Sequence, residues 1–250
     1  MPPPSIFRLF RNKNSFFIWG LMFIIFGASC NGKTDIRDFY FPLKKLETPK
    51  VYEYRAVESD SLPPLYRYYR TVVSDEKVFF TENTYDGNLN VIQFSREERL
   101  SEGMVLRDKI IYFNAPDGKS VATKTKIEAA AMFPFMVTDS NGVFVYNIAF
   151  DNPTDTSSMR LIRNRRFIKK TTYVWEEKTY NAVEFDIKVA DEYEKQGTLR
   201  LDSHIREIYA EGIGLVETRQ TYAGYPPVSY RLNAIYDMEA LETKLKSKLK

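Results

Sequence analysis

The sequence predicts a mainly β fold: a single curved antiparallel meander or half-open β-barrel with a short C-terminal helix. Three observations carry that expectation. From Val51 onward, apolar residues recur with a period of two rather than 3.6, the spacing of half-buried strands. Short segments of turn chemistry separate the alternating runs, and short loops pair neighbours antiparallel because parallel pairing needs a long crossover. Helical spacing is scarce before residue 237. With 250 residues, 44% of them hydrophobic, the chain can fill one sizeable core, which excludes wholesale disorder. One Cys excludes a disulfide framework and a thiolate metal cluster, and one His excludes a His-rich zinc or haem site.

Residues 1–29 read as a signal peptide. Residues 1–15 are basic without an acid, Phe16 to Phe26 run FFIWGLMFIIF, and Gly27-Ala28-Ser29 put small residues before a cut between Ser29 and Cys30. The apolar core falls short of the roughly 20 residues a spanning helix needs. Phe26-Gly27-Ala28-Ser29-Cys30 resembles a bacterial lipobox. That resemblance implies a diacylglycerol thioether on Cys30 and cleavage ahead of it, so that lipid anchors the chain to a membrane. The other reading is an uncleaved short anchor with an incidental Cys. Residues 30–48 then form the lipidated Cys and a tether, with Pro42 breaking regular structure, and residues 49–250 a β-rich periplasmic domain. By the rules of such lipoproteins, Asn31 in place of Asp favours the outer membrane. A lone Asp35, where surface-exported lipoproteins carry an acidic cluster, favours its periplasmic face.

The net charge of +3 belongs to this leader. Arg8, Arg11 and Lys13 are three of the 36 basic residues, and without them 33 bases balance 33 acids. The body has no global field to draw it to nucleic acid, so no nucleic-acid partner is expected.

Strands are expected at Val51–Val57, Leu65–Val73, Val78–Tyr85, Leu89–Arg96, Met104–Phe113, Phe144–Phe150, Phe167–Trp175, Ala182–Val189, Leu199–Ile208, Gly214–Tyr222 and Val228–Tyr236. Ala182–Val189 is the clearest, with Val183, Phe185, Ile187 and Val189 on one face and Glu184, Asp186 and Lys188 on the other. Asp86-Gly87-Asn88, Ser101-Glu102-Gly103, Pro116-Asp117-Gly118, Ser140-Asn141-Gly142 and Gln196-Gly197 supply residues that tolerate positive φ. A C-terminal helix capped by Asp237 would align Met238, Leu241, Leu245 and Leu249, plugging the open side or an end of the sheet. Ile127–Met132, around three alanines, is a second short helix candidate.

Chemical signals are few, and the chain names no catalytic, cofactor-binding or metal-binding residues. Gly212-Ile213-Gly214 lacks the third glycine and the helix of a phosphate loop, so it reads as a turn and a close approach. Asp202 and His204 could pair on a strand face, but no nucleophile motif completes them, and a solvated His is the simpler reading. The 33 acids show no Asp-rich calcium loop and no locatable carboxylate pair. Arg160, Arg163, Arg165, Arg166, Lys169 and Lys170 form the densest basic stretch; they read as a solvated sheet edge, with binding of an anionic head group or glycan as the sharper alternative. Asp60-Ser61-Leu62 fits the short pattern that Bacteroidetes use for protein O-glycosylation, making Ser61 the candidate acceptor.

Two stretches resemble uncharacterised Bacteroidetes lipoproteins. Tyr40-Phe41-Pro42-Leu43 with Val51-Tyr52-Glu53-Tyr54 is similar to their opening motif, and Tyr209-Ala210-Glu211-Gly212-Ile213-Gly214-Leu215-Val216 to their strand–turn–strand. The resemblance implies a LolA-like curved antiparallel sheet and carries no active site across. The leading reading is a membrane-tethered, non-enzymatic module whose concave face binds a lipid or other apolar ligand. The alternatives are a filled interior in an accessory subunit that binds an envelope protein partner, and, behind both, a hydrolase.

Overall fold

The computed structural model describes residues 32–115, 118–138 and 142–248, with the side chains from Leu245 onward left aside. Ser29 and Cys30 lie outside the described residues, as do most of the turns expected at residues 116–118 and 140–142. Residues Lys33–Lys250 form one compact unit.

A two-residue strand, β1 (Thr34–Asp35), precedes single 3-10 turns at Arg37–Phe39 and Lys45–Glu47. Strands β2 (Lys50–Ala56), β3 (Leu65–Ser74), β4 (Lys77–Tyr85), β5 (Val91–Arg99) and β6 (Gly103–Asn114) follow. Next come β7 (Ser120–Lys124), β8 (Lys126–Pro134), β9 (Met136–Val137) and β10 (Val143–Asp151). A long hairpin of β11 (Ser158–Trp175) and β12 (Lys178–Glu194) leads to β13 (Thr198–Ala210), β14 (Gly214–Tyr222), β15 (Val228–Tyr236) and helix α1 (Met238–Lys248).

The meander is closed rather than half-open. Among the described residues, β2–β6, β8 and β10–β15 make a ring of twelve antiparallel strands in sequence order, with β7 beside the far half of β6. The ring shuts where β15 meets β2, from Tyr230↔Ala56 to Tyr236↔Val51. Its narrowest seam joins β6 to β8 through Gly103↔Pro134, Met104↔Phe133 and Val105↔Ala131. A half-open sheet would leave two rows of unpaired backbone groups, and closure removes both. No local pattern announces it, because the strands that meet lie at opposite ends of the sequence.

Three further expectations change. Ile127–Met132 is not helical: it lies within β8, where Ala129 and Ala130 pair with Asn147 and Tyr146 of β10, so ladder hydrogen bonds override alanine's helix propensity. Helix α1 plugs nothing. It lies on the outer wall over β2, β3 and β15, burying Leu241 with Val51 and Tyr66. The tether ends sooner than residue 48, because Thr34 and Asp35 already pair with Val137 and Met136.

From Ile36 to Leu46 the chain instead seals one end of the barrel. Ile36, Phe39, Tyr40, Phe41 and Leu46 are buried there with Tyr52, Tyr54, Tyr69, Phe80, Phe133, Phe185 and Tyr209. Phe41 stacks on Phe80 with ring centroids 4.8 Å apart and lies 4.4 Å from Tyr69. Against it sits Gly214, at φ +98°, where an added Cβ would meet the Phe41 ring at 2.4 Å. The Gly212 N–H, at φ +72°, donates to the Asp38 carbonyl at 3.0 Å. The two motifs of the family resemblance are therefore one physical unit, a plug and its seat.

Candidate functional site

Beyond the plug's aromatic layer, the lumen holds a cavity of about 440 Å³ whose walls are charged. Arg67 comes from β3, Glu82 from β4, Glu97 from β5, Lys109 from β6, Arg163 and Arg165 from β11, and Glu207 from β13. The expected apolar concave face is thus divided: its plugged end is packed with aromatics and its middle is polar. The charged side chains are 12–23% exposed at Arg67, Glu82 and Arg163, so they border the cavity while walled in by protein.

Most of these charges have partners. Arg165 Nη2 donates to Glu207 Oε2 at 2.7 Å, where the Tyr209 hydroxyl also donates at 2.9 Å, and Arg165 Nη1 donates to the Met132 carbonyl. Its guanidinium lies over the rings of Phe185 and Tyr209, 5.4 and 5.7 Å from their centroids. Arg163 Nη1 donates to Asp191 Oδ1 at 2.5 Å. Arg67 lies 3.6 Å from Glu82, which accepts from the Thr84 hydroxyl at 2.8 Å, yet the Arg67 Nε is buried without a hydrogen-bond partner among the described residues.

Glu97 and Lys109 are the unusual pair. Burial pushes the Glu97 carboxyl up to about 7, with the Glu82 charge adding to it, although the Tyr40 hydroxyl donates to Glu97 Oε2 at 2.9 Å. Burial pulls the Lys109 ammonium down to about 8, partly resisted by the charges of Glu82 and Glu97. Lys109 makes no ion pair or side-chain hydrogen bond among the described residues.

Sequence reasoning saw the basic run of β11 but placed it on an edge. In the ring β11 is paired on both sides, by β10 and β12, and alternation turns Arg163 and Arg165 inward while Arg166 stays exposed. Gln93, Ser95, Glu97, Lys109 and Glu207 escape sequence reasoning because polar positions of a strand ordinarily face solvent. A usable signal was present in β5, where polar Gln93, Ser95 and Glu97 alternate with Ile92 and Phe94: there the apolar residues face out.

The remaining candidates do not come together. His204 is exposed and lies 3.7 Å from Asp186 across the strand pair, while Asp202 accepts from Arg200 Nε at 2.9 Å. Ser61 sits in the exposed loop after β2, its hydroxyl 2.6 Å from that of Ser59. A wider hollow of about 640 Å³ lies at the plugged end between Lys45, Leu46, Trp175 and Tyr180. Several of its polar groups are already engaged: Lys50 with Asp237, Lys178 over the Tyr180 ring, and Asn181 with Glu211.

Two solved bacterial structures are similar in fold. A candidate lipoprotein from Parabacteroides distasonis ATCC 8503 matches 79% of this chain and 98% of its own, with a TM-score of 0.50 and 11% identity. A candidate exported protein with a YmcC-like fold, from Bacteroides fragilis NCTC 9343, matches 79% of this chain and 99% of its own at the same TM-score and identity. At that identity the likeness is one of fold. No protein-family model matches the chain, and no curated protein matches its sequence. The architecture is a closed barrel in place of the open LolA-like sheet that the two short motifs had implied.

Proposed function

We propose that this chain is a non-enzymatic binding module of the bacterial cell envelope, a lipoprotein held by acyl chains at Cys30 on the periplasmic face of the outer membrane. The carrying observation is a walled, charged lumen that holds the Lys109 ammonium, which has no ion pair or side-chain hydrogen bond among the described residues. A cavity of this size holds a small organic molecule, and its polar walls favour a ligand with a charged or hydroxylated body over the purely apolar one first expected. The similar structures, described as a lipoprotein and an exported protein, support the envelope reading. The outer wall argues against a membrane-spanning barrel. Arg206 pairs with Glu184 at 2.7 Å and Arg231 with Glu217 at 2.7 Å, both outward, whereas a spanning barrel turns an apolar band to lipid. The test is native mass spectrometry of residues 31–250 purified without denaturant, followed by extraction. A stoichiometric adduct supports the module; a bare polypeptide mass, repeated after incubation with envelope extract, counts against it.

A second reading has its own observation. The β2–β3, β4–β5 and β14–β15 loops meet at the end opposite the plug, where Leu62, Leu89 and Tyr225 are exposed, Tyr225 at 73%. An accessory subunit would use such a rim to hold an envelope protein.

The anchor also sets an orientation. From Cys30 to Thr34 the chain has four steps of at most ~3.6 Å, on the order of 14 Å in all. Since Thr34 belongs to the plugged end, that end faces the membrane and the Leu62–Tyr225 rim points away. With Trp19 in the leader, Trp175 is the only tryptophan of residues 30–250, and it ends β11 at the plugged end. In vesicles containing dansyl-labelled lipid, energy transfer from Trp175 is expected to exceed that from a Trp175→Phe/Tyr225→Trp variant several-fold. Equal transfer from both would reject the orientation.

A further inference from the structure

We propose that the lumen is an anion site: it takes a small ligand through a carboxylate or phosphate group seated on Lys109, with Arg67 and Arg163 alongside. This rests on the binding-module reading above and names the chemistry of that site. Around the cavity, Arg165 is matched by Glu207, Arg163 by Asp191, and Arg67 faces Glu82. The fourth cation, Lys109, has no such partner among the described residues. The remaining carboxyl, Glu97, is engaged by the Tyr40 hydroxyl, and its raised pKa leaves it partly neutral near pH 7. Lys109 is therefore the cation of these walls without a contacting acid among the described residues, and a buried ammonium is costly unless something pairs with it. The Arg67 Nε, buried without a hydrogen-bond partner among the described residues, is a second unsatisfied donor on a side chain that lines the cavity. Gln93, Ser95 and Gln220 line the same cavity and can hydrogen-bond a polar ligand body.

The assignment predicts the effect of pH. Facing Lys109 are Arg67 of β3, Glu82 of β4, Glu97 of β5, and Arg163 and Arg165 of β11, with Tyr40 of the plug, Tyr146 of β10, and Glu207 and Tyr209 of β13 lining the same lumen. As pH rises through about 7, Glu97 gains negative charge, and through about 8, Lys109 loses its positive charge. Both changes weaken anion binding in the same direction.

The experiment titrates residues 31–250 with inorganic phosphate and with dihexanoyl phosphatidate, against chloride at matched ionic strength, following melting temperature and heat of binding. Saturable binding of phosphate is expected, and binding of sulfate, whose own charge is constant over the range, should weaken at least fivefold between pH 6.5 and 9. Tighter binding of the phosphatidate would assign the anion to a lipid head group; equal or weaker binding would assign it to a soluble ligand. Lys109→Met should lose at least tenfold in affinity yet melt no lower than the parent without ligand, because an unpaired buried charge has gone. Lys109→Arg should keep binding, and Lys188→Met, on the outer wall, should be unchanged. A lower melting temperature for unliganded Lys109→Met with Lys109→Arg restoring it, or phosphate binding that survives Lys109→Met, would overturn the assignment. A co-purifying adduct that proves uncharged would overturn the anion site while leaving the binding module standing. The absence of any adduct together with no phosphate or phosphatidate binding would remove both.

Discussion

Replacing Phe41 with Ala is expected to lower stability by about 3–5 kcal/mol, read as a shift in the midpoint of urea unfolding. The residue lies outside the ring of strands, in a segment that sequence patterning assigned to a tether, so an effect of this size tests the plug directly. Phe41 is 7% exposed and touches four aromatic neighbours besides Tyr40: Phe80 at 4.8 Å, Tyr69 at 4.4 Å, Tyr52 at 6.1 Å and Tyr209 at 6.4 Å. Those rings project inward from β2, β3, β4 and β13, so deleting Phe41 leaves a void that no single strand can move to fill. Closed barrels have little freedom to contract, because the strand number and register fix the diameter. With total stability of the usual 5–15 kcal/mol, such a loss approaches the limit of folding. Gly214→Ala attacks the same contact from the seat: the new Cβ meets the ring at 2.4 Å and the backbone sits at φ +98°, so the chain is strained twice. Both variants should also speed proteolysis after Lys44 and Lys45, which are exposed within the plug segment. A loss under about 1 kcal/mol from Phe41→Ala would show that the segment merely rests against the barrel.

The strands were legible because alternation is a local property. Gly214–Tyr222 and Val228–Tyr236 agree end to end with the period-two reading, and Leu65–Val73 and Val78–Tyr85 agree within one residue. What alternation cannot specify is which face becomes the inside. In β12 the apolar set Val183, Phe185 and Ile187 points inward, as expected. In β5 the polar set does, and a reading that always buries the apolar face reverses that strand; in the first half of β11 the inward face is mixed, Met159 and Leu161 standing beside Arg163 and Arg165. The lumen site is built from polar residues on inward faces, which is why a reading that assigns polar positions to solvent scatters or misses them. Ile36–Leu46 failed for a different reason. Its Phe39-Tyr40-Phe41 cluster lacks a helical or strand period, since a plug is shaped by the cavity it fills. The resemblance motifs did mark it, yet only contact between Phe41 and Gly214 explains why the two stretches belong together.

The second large effect concerns the outer wall, where Lys244 of α1 meets Glu53 of β2. Glu53 is fully buried, and its carboxylate accepts from Arg55 Nε at 2.8 Å, from the Tyr236 hydroxyl at 2.8 Å and from the Lys244 ammonium. Burial alone would push this carboxyl up; the hydrogen bonds from Lys244, Arg55 and Tyr236, with the Lys244 charge, outweigh burial and hold it at about 2. Lys244→Met removes one of the two cations and should cost about 2–4 kcal/mol, less than a fully broken buried pair because Arg55 remains. The sign of the pH dependence follows from the lowered pKa. This carboxylate contributes stability above its ordinary range near 4.5, and loses it as pH falls toward about 2. In Lys244→Met the acid loss should begin at higher pH, since the carboxyl has lost its strongest support. Glu53→Gln/Lys244→Met should be more stable than Lys244→Met alone, because the double change leaves no half-paired charge under the helix. If the double variant is the less stable of the two, Lys244 acts through packing on Tyr236, whose ring lies 4.6 Å from its ammonium, and the charge pair is incidental.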